Sequence, residues 1–270
     1  METNPLRTIW SESKAVVNGW IAIPDGFAAE TMARSGWDSI TVDMQHGVTH
    51  YDTAVECLRA ITTTSTVPLA RVPWNEPGIV MKALDGGAFG VVCPMVSNRE
   101  EAERFVGACR YPPDGYRSIG PVRASLYAGA DYVAKAAELV VTLAMIETRE
   151  ALDNLDAIMS TPGLDGIYIG PNDLCASLGR PPSLDTRDEV AFPWIERILE
   201  CTKRHGIQAG IHCMATDYAL EMVERGFSFV TIASDARLLA VAAKSAVDAM
   251  RAGQGASAAA AEPEAPQAGY

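Results

Sequence analysis

Eight short β-rich runs alternate along this chain with amphipathic stretches of about 10 to 18 residues, and that alternation limits the fold more than any other feature. The runs fall at about 19–24, 39–45, 67–73, 90–96, 140–147, 165–170, 207–213 and 227–233. Helix signals lie between them. The stretch 97–110 opens on Ser97 with Glu100 and Glu101 in its first turn, and 215–226 closes on Gly226. Eight strand–helix alternations over about 250 residues give a (β/α)₈ TIM barrel, an α/β fold, as one domain over 1–252. A doubly wound sheet is the rival, but it usually has fewer strands.

Two segments interrupt the pattern. Residues 111–139 carry turn signals and then a helical stretch, and are expected to overhang the barrel mouth as a lid. Residues 180–192 form a second loop. The last helix is expected at 236–251, Ala-rich and suited to packing against a neighbouring subunit. Beyond it, 253–270 lacks the apolar residues of a core and reads as a flexible tail.

Composition excludes some functions. A formal net charge of −12 over 270 residues argues against nucleic acid or an anionic membrane as partner. No apolar run reaches membrane-spanning length, and the N-terminus lacks the basic start and apolar core of a secretory signal. The six cysteines form no C-x-x-C pair and sit in apolar stretches, so free buried thiols in a reducing cytoplasm are expected. No G-x-G-x-x-G follows a strand and no Walker loop occurs, so no organic cofactor is implied. All five lysines fall outside the strand runs, which removes the strand lysine that a Schiff-base barrel aldolase needs.

Chemistry in such barrels collects at the carboxyl ends of the strands. Glu147 and Asp173 follow the fifth and sixth runs. Together they offer a hard, oxygen-only site for a divalent cation such as Mg²⁺ or Mn²⁺. Taken singly, each is also a helix-start acid favoured by capping or the helix dipole. The turn Gly170-Pro171 exposes the amides of Asn172 and Asp173, which could hold a substrate carboxylate. At the second strand end, His46 follows Asp43 by three residues, the spacing of a general base oriented by a carboxylate or of a structural histidine. Arg71, inside the third run, needs an anionic partner. An oxyanion beside the metal would serve, and so would a salt bridge with Asp43 or Asp85. Asp85 could equally be a surface acid.

These motifs resemble the metal-dependent class II pyruvate aldolases of the HpcH/HpaI type, a phosphoenolpyruvate/pyruvate-type barrel family. The carriers are Val-Asp-Met-Gln-His-Gly at 42–47, Ala-Arg-Val at 70–72, Cys-Pro-Met-Val at 93–96 and Arg-Tyr-Pro-Pro-Asp-Gly-Tyr-Arg at 110–117. Met-Ile-Glu-Thr-Arg-Glu-Ala-Leu at 145–152 and Gly-Ile-Tyr-Ile-Gly-Pro-Asn-Asp-Leu at 166–174 are the strongest. The resemblance covers about 5–250. It implies reversible cleavage of a 4-hydroxy-2-oxo acid to pyruvate or hydroxypyruvate and an aldehyde, through a metal-stabilised enolate. Glu147 and Asp173 would ligate Mg²⁺, Mn²⁺ or Co²⁺, His46 oriented by Asp43 would be the base, and Arg71 would meet the keto oxygen. The backbone from Gly170 to Asp173, including Asn172, would hold the carboxylate, with Asp85 also at the substrate. Assembly as a homo-oligomer, a hexamer, is implied too. Three positions depart from better-known members: Gln45, Met145 and above all His212, which ends the seventh run where apolar residues are common. His212 is expected on the aldehyde side with Trp20 and Tyr127, or as a structural histidine. The alternatives are an acyl-CoA lyase of the citrate or malyl-CoA type, for which no lysine cluster supplies a groove, and a catalytically silent binding barrel.

Overall fold

A computed structural model describes residues 3–260, with side chains through 254. Eight parallel strands pair in chain order, and the first closes on the last. They are β1 (Val16–Ile21), β2 (Ser39–Asp43), β3 (Val67–Arg71), β4 (Gly90–Cys93), β5 (Val141–Ile146), β6 (Gly166–Ile169), β7 (Gln208–Cys213) and β8 (Phe229–Ile232). α1 (Pro5–Ser11) precedes the barrel. The connections hold α2 (Gly26–Ala33), α3 (Tyr51–Ile61), α4 (Pro77–Asp85), α5 (Arg99–Cys109), α6 (Val122–Ala128) and α7 (Tyr132–Leu139). They continue with α8 (Arg149–Asp153), α9 (Leu155–Met159), α10 (Pro171–Ser177), α11 (Ala191–His205) and α12 (Thr216–Arg225).

Each strand run expected from the sequence is a barrel strand. Only the first is displaced, beginning at Val16 rather than 19. Asn18-Gly19 reads locally as a turn, yet the fold uses both inside the strand. Asn18 is buried in the barrel, where its Nδ2 donates to Thr231 Oγ1 and its Oδ1 accepts from Ser39 and Thr41. At Gly19 a Cβ would come within 3.0 Å of the Trp37 ring, so glycine lets that indole pack on the strand.

Side chains alternate across each strand. One parity fills the barrel interior with Trp20, Leu69, Leu143, Met145, Tyr168 and Phe229. The other faces the helices with Ile40, Val42, Ala70, Val91, Ile146, Ile167, Ile169, Ile211 and Val230. Because both faces are buried, the strands read as nearly continuous apolar runs. The six cysteines are all free and buried.

The amino end of the barrel is closed. Asn4 caps α1, and its Nδ2 donates to the carbonyls of Phe89 and Leu139, which fixes α1 beneath β4 and β5. Residues 111–139 lie at this same end, not over the mouth. They follow α5 and lead into β5, so they belong to a helix-to-strand return. Arg123 donates to the carbonyl of Gly86, Tyr127 Oη to that of Thr62, and the Tyr127 ring packs 5.7 Å from Phe89. Tyr127 therefore lies away from the carboxyl-end mouth of its own barrel. So does Asp85, whose carboxylate pairs with the buried Arg117 at 2.7 Å. A hydrogen-bonded ion pair is the cheapest way to bury that guanidinium, and it uses the acid expected at the substrate.

From Ala236 the chain forms a second unit. Its helix, α13 (Asp235–Ala260), extends past the expected end at 251, so the first residues of the expected tail, 253–260, are helical. The rest of that tail, 261–270, lies outside the described residues.

Candidate active site

Parity carries the interior residues upward into the mouth. Two residues on from Thr41, Leu69, Met145, Tyr168 and Gly210 stand Asp43, Arg71, Glu147, Gly170 and His212, each on the inward face at or just past its strand end. Trp20 completes the ring from β1. Six of the residues expected at the site therefore share one face because the side-chain period is two.

Asp43 and Arg71 are register partners on neighbouring strands. Arg71 Nε and Nη2 grip the two carboxylate oxygens at 2.8 and 2.6 Å, a bidentate fork. Trp20 Nε1 donates to the same carboxylate at 3.2 Å, and the guanidinium lies 4.8 Å over the Trp20 ring. Burial alone would raise the Asp43 pKa, but Arg71 and the other donors outweigh it and hold the carboxyl below its ordinary value. Arg71 Nη1 has no partner among the described residues, so the fork holds two nitrogens and leaves a third for a ligand. Asp43 also accepts the backbone N–H groups of Gln45 and His46. It thus ties down the loop bearing His46 and does not hold its ring. The expected Asp–His pair is corrected here to an Asp–Arg pair. The His46 side chain is exposed at the mouth.

Glu147 is 2% exposed. Its Oε1 accepts the backbone N–H of Met95 at 2.8 Å. Met95 sits at φ 57°, in the left-handed region a methionine rarely adopts, and this turn aims its amide at the carboxylate. Oε2 lies against Gly170, where a Cβ would come within 2.3 Å of it. Burial pushes the Glu147 carboxyl up to about 7, the nearby charge of Asp173 adds to the rise, and Met95 N–H and Arg71 oppose it. Asp173 and Asn172 are exposed in the first turn of α10. A buried carboxylate with one hydrogen bond and a second acid beside it carries uncompensated negative charge. Two hard oxygen donors of this kind fit a divalent cation.

His212 joins a polar network that sequence reasoning missed. Its Nδ1 lies 2.9 Å from Tyr168 Oη, which donates to Thr231 Oγ1 at 2.8 Å. Thr231 receives Asn18 Nδ2 as well. The imidazole stands edge-on to Trp20, 4.9 Å between centroids. The available signal was Asn18 and Thr231, polar residues at inward positions of otherwise apolar strands. Met95 left no such trace, since its contribution is a backbone amide.

Among the described residues one three-member cluster of Asp, Cys and His occurs elsewhere: Asp156, Cys201 and His205 on α9 and α11. Arg204 donates to both Asp156 Oδ1 and Cys201 Sγ, so a guanidinium already neutralises it.

A closed parallel barrel with paired acids, a forked arginine and two histidines at its carboxyl mouth defines a barrel enzyme for small, oxygen-rich substrates. Residues 20–242 match the HpcH/HpaI aldolase/citrate lyase family. The hydroxypyruvate/pyruvate aldolase of Rhizorhabdus wittichii is 41% identical over 244 residues, 90% of this chain and 97% of that protein. The 5-keto-4-deoxy-D-glucarate aldolase of Escherichia coli is 32% identical over 234 residues, 86% of this chain and 91% of its own. A solved structure of a family protein from Burkholderia cenocepacia superposes with a TM-score of 0.86 at 29% identity, covering 92% of this chain and all of that one. The chain belongs to the HpcH/HpaI aldolase/citrate lyase family, and it is an aldolase, a carbon–carbon lyase.

Proposed function

We propose that this aldolase is divalent-metal-dependent and reversibly cleaves 4-hydroxy-2-oxo acids to pyruvate or hydroxypyruvate and an aldehyde. The observation that carries the reading is Glu147, buried, half-bonded and faced by Asp173. These two acids would hold Mg²⁺, Mn²⁺ or Co²⁺, which supplies Lewis-acid polarisation of the 2-oxo acid and so lowers the cost of the enolate. Arg71, fixed by Asp43 and Trp20, directs its remaining N–H groups toward the negative charge that develops on the keto oxygen. The first-turn N–H groups of Asn172 and Asp173 have no intrahelical acceptor and suit the substrate carboxylate. His46, exposed on a loop whose backbone Asp43 anchors, moves the proton at the nucleophilic carbon or the C4 hydroxyl.

The named aldolase relatives support this substrate class. Six free, buried thiols support a reducing, cytoplasmic setting, and among the described residues no helix is long and apolar enough to cross a membrane. Val122 and Leu126, each more than three-quarters exposed on α6, support burial against another subunit of a homo-oligomer, a hexamer in this reading. The test is deuterium exchange into the methyl group of pyruvate, followed by NMR. Exchange should require Mg²⁺, Mn²⁺ or Co²⁺, stop with excess EDTA and disappear in Glu147→Ala and His46→Ala. No exchange in the metal-loaded wild type would sink the proposal.

A further inference from the structure

The imidazole of His212 has two nitrogens with different fates, and the surrounding network decides which carries hydrogen. Ser39 and Thr41 hydroxyls donate to Asn18 Oδ1 at 2.8 and 3.2 Å, and the amide turns its NH₂ toward Thr231. Thr231 Oγ1 then accepts from Asn18 and from Tyr168 Oη. A phenol has a single hydrogen. With that hydrogen on Thr231, the 2.9 Å contact between Tyr168 Oη and His212 Nδ1 needs its proton from the imidazole. His212 is thereby assigned the Nδ1–H tautomer, and Nε2 is left with a lone pair.

That lone pair has no protein donor among the described residues, and Nε2 is not among the sealed, unsatisfied atoms of the interior. The side chain is half-buried, on the inward face of β7, beside the indole that Arg71 covers. Nδ1 points down into the barrel, toward Tyr168, and Nε2 is left for the mouth. Burial, with the charge of Arg71, lowers the His212 pKa to about 4 against a weaker opposing effect of Asp43. A ring that weakly basic is a poor proton carrier at neutral pH but a constant hydrogen-bond acceptor.

We propose that His212 Nε2 accepts a hydrogen bond from a hydroxyl group of the substrate, so that this site selects hydroxylated reactants over their alkyl counterparts. The proposal rests on the aldolase reading above. The hydroxyl has two possible sources, C3 of the nucleophile (hydroxypyruvate against pyruvate) and C2 of the aldehyde (glycolaldehyde against acetaldehyde). A site built to pair a hydroxyl discriminates strongly because the analogue leaves a polar atom unpaired. His212 is thus a specificity residue, and Tyr168, Thr231 and Asn18 are positioning residues for it.

The experiment measures kcat/KM for aldol addition with all four pairings, using the Mn²⁺-loaded wild type, His212→Phe and His212→Gln. In His212→Phe one hydroxyl-to-alkyl ratio should fall about tenfold or more, and His212→Gln, which offers an amide oxygen, should recover part of it. The ratio that falls identifies the source. If neither ratio falls while wild-type pyruvate still exchanges deuterium, the His212 proposal is overturned and the aldolase reading stands. If the wild type neither exchanges nor condenses, both are overturned. ¹⁵N NMR of histidine-labelled wild type needs no variant to fold: Nδ1 should be the protonated nitrogen, and the Nε2 resonance should shift when the selected hydroxylated reactant binds. An Nε2-protonated ring would overturn the assignment.

Discussion

Two buried arginine–aspartate pairs stand at opposite ends of this barrel and do opposite jobs. At the amino end Arg110 is bound by the scaffold through both terminal nitrogens. It donates to the carbonyls of Val140 and Gly163, to Thr142 Oγ1 and to Asp165, which also accepts Thr142 N–H and pairs with Arg7. At the carboxyl end Arg71 is clamped on one edge by Asp43 and left open on the other. Nearby, Glu147 keeps one oxygen without a donor and Met95 holds a strained backbone. The lesson is that access, and not satisfaction alone, distinguishes scaffold from site: Arg117 Nε and Tyr111 Oη at the closed end are sealed in the interior without a partner, whereas the free nitrogen of Arg71 is not sealed and is left for a ligand.

Substitutions should separate the two ends. Arg110→Ala leaves the carbonyls of Val140 and Gly163 without their donor and Asp165 with Arg7 and Thr142 alone, and should cost about 2 to 3 kcal/mol in urea unfolding, with exchange activity per folded molecule retained. Arg71→Lys keeps the charge but loses the fork. It should slow metal-dependent pyruvate exchange about 10²- to 10³-fold, with unfolding within about 1 kcal/mol of wild type. If Arg71→Lys instead unfolds the protein while Arg110→Ala spares it, the contrast is wrong.

Glu147→Gln sharpens the comparison through pH. A carboxyl raised from 4.5 to about 7 in the fold binds more protons folded than unfolded, so stability falls as pH climbs through that window and stays low above it. At about 1.4 kcal/mol per unit, metal-free wild type should lose about 3 kcal/mol between pH 4.5 and 8 relative to Glu147→Gln. Urea titrations in EDTA at both pH values measure it, and added Mn²⁺ should restore the wild type alone. Parallel curves for the two proteins would mean that Glu147 carries no uncompensated charge.

Much of the site was legible because of periodicity. Apolar runs ending in Glu147 and Asp43, an arginine at an interior position and a histidine at the end of the seventh run needed only the two-residue period to be placed inward. The position of 111–139 was legible too and was misread: a segment that follows a helix and precedes a strand returns at the amino end whatever its turn signals. Tyr127 followed it into error, and Asp85, expected at the substrate or in a salt bridge, is in a salt bridge, with Arg117. Other features had no local signature. The choice of Arg71 over the His46 ring as the partner of Asp43 follows from β2–β3 register, and the amide of Met95 reaches Glu147 across 52 residues.

What the sequence by itself determined was the count and order of strands, the inward parity of Asp43, Arg71, Glu147 and His212, and the family. These follow from patterns within a few residues, where local sterics and burial leave one solution. The tertiary structure alone decided which donors are consumed and which are left over: Arg71 held by two nitrogens, Glu147 bonded once, and His212 with its hydrogen on Nδ1. Those outcomes depend on hydrogen bonds between strands far apart in the chain, and a hydrogen bond is exclusive, so each atom's role is fixed only when all its neighbours are in place.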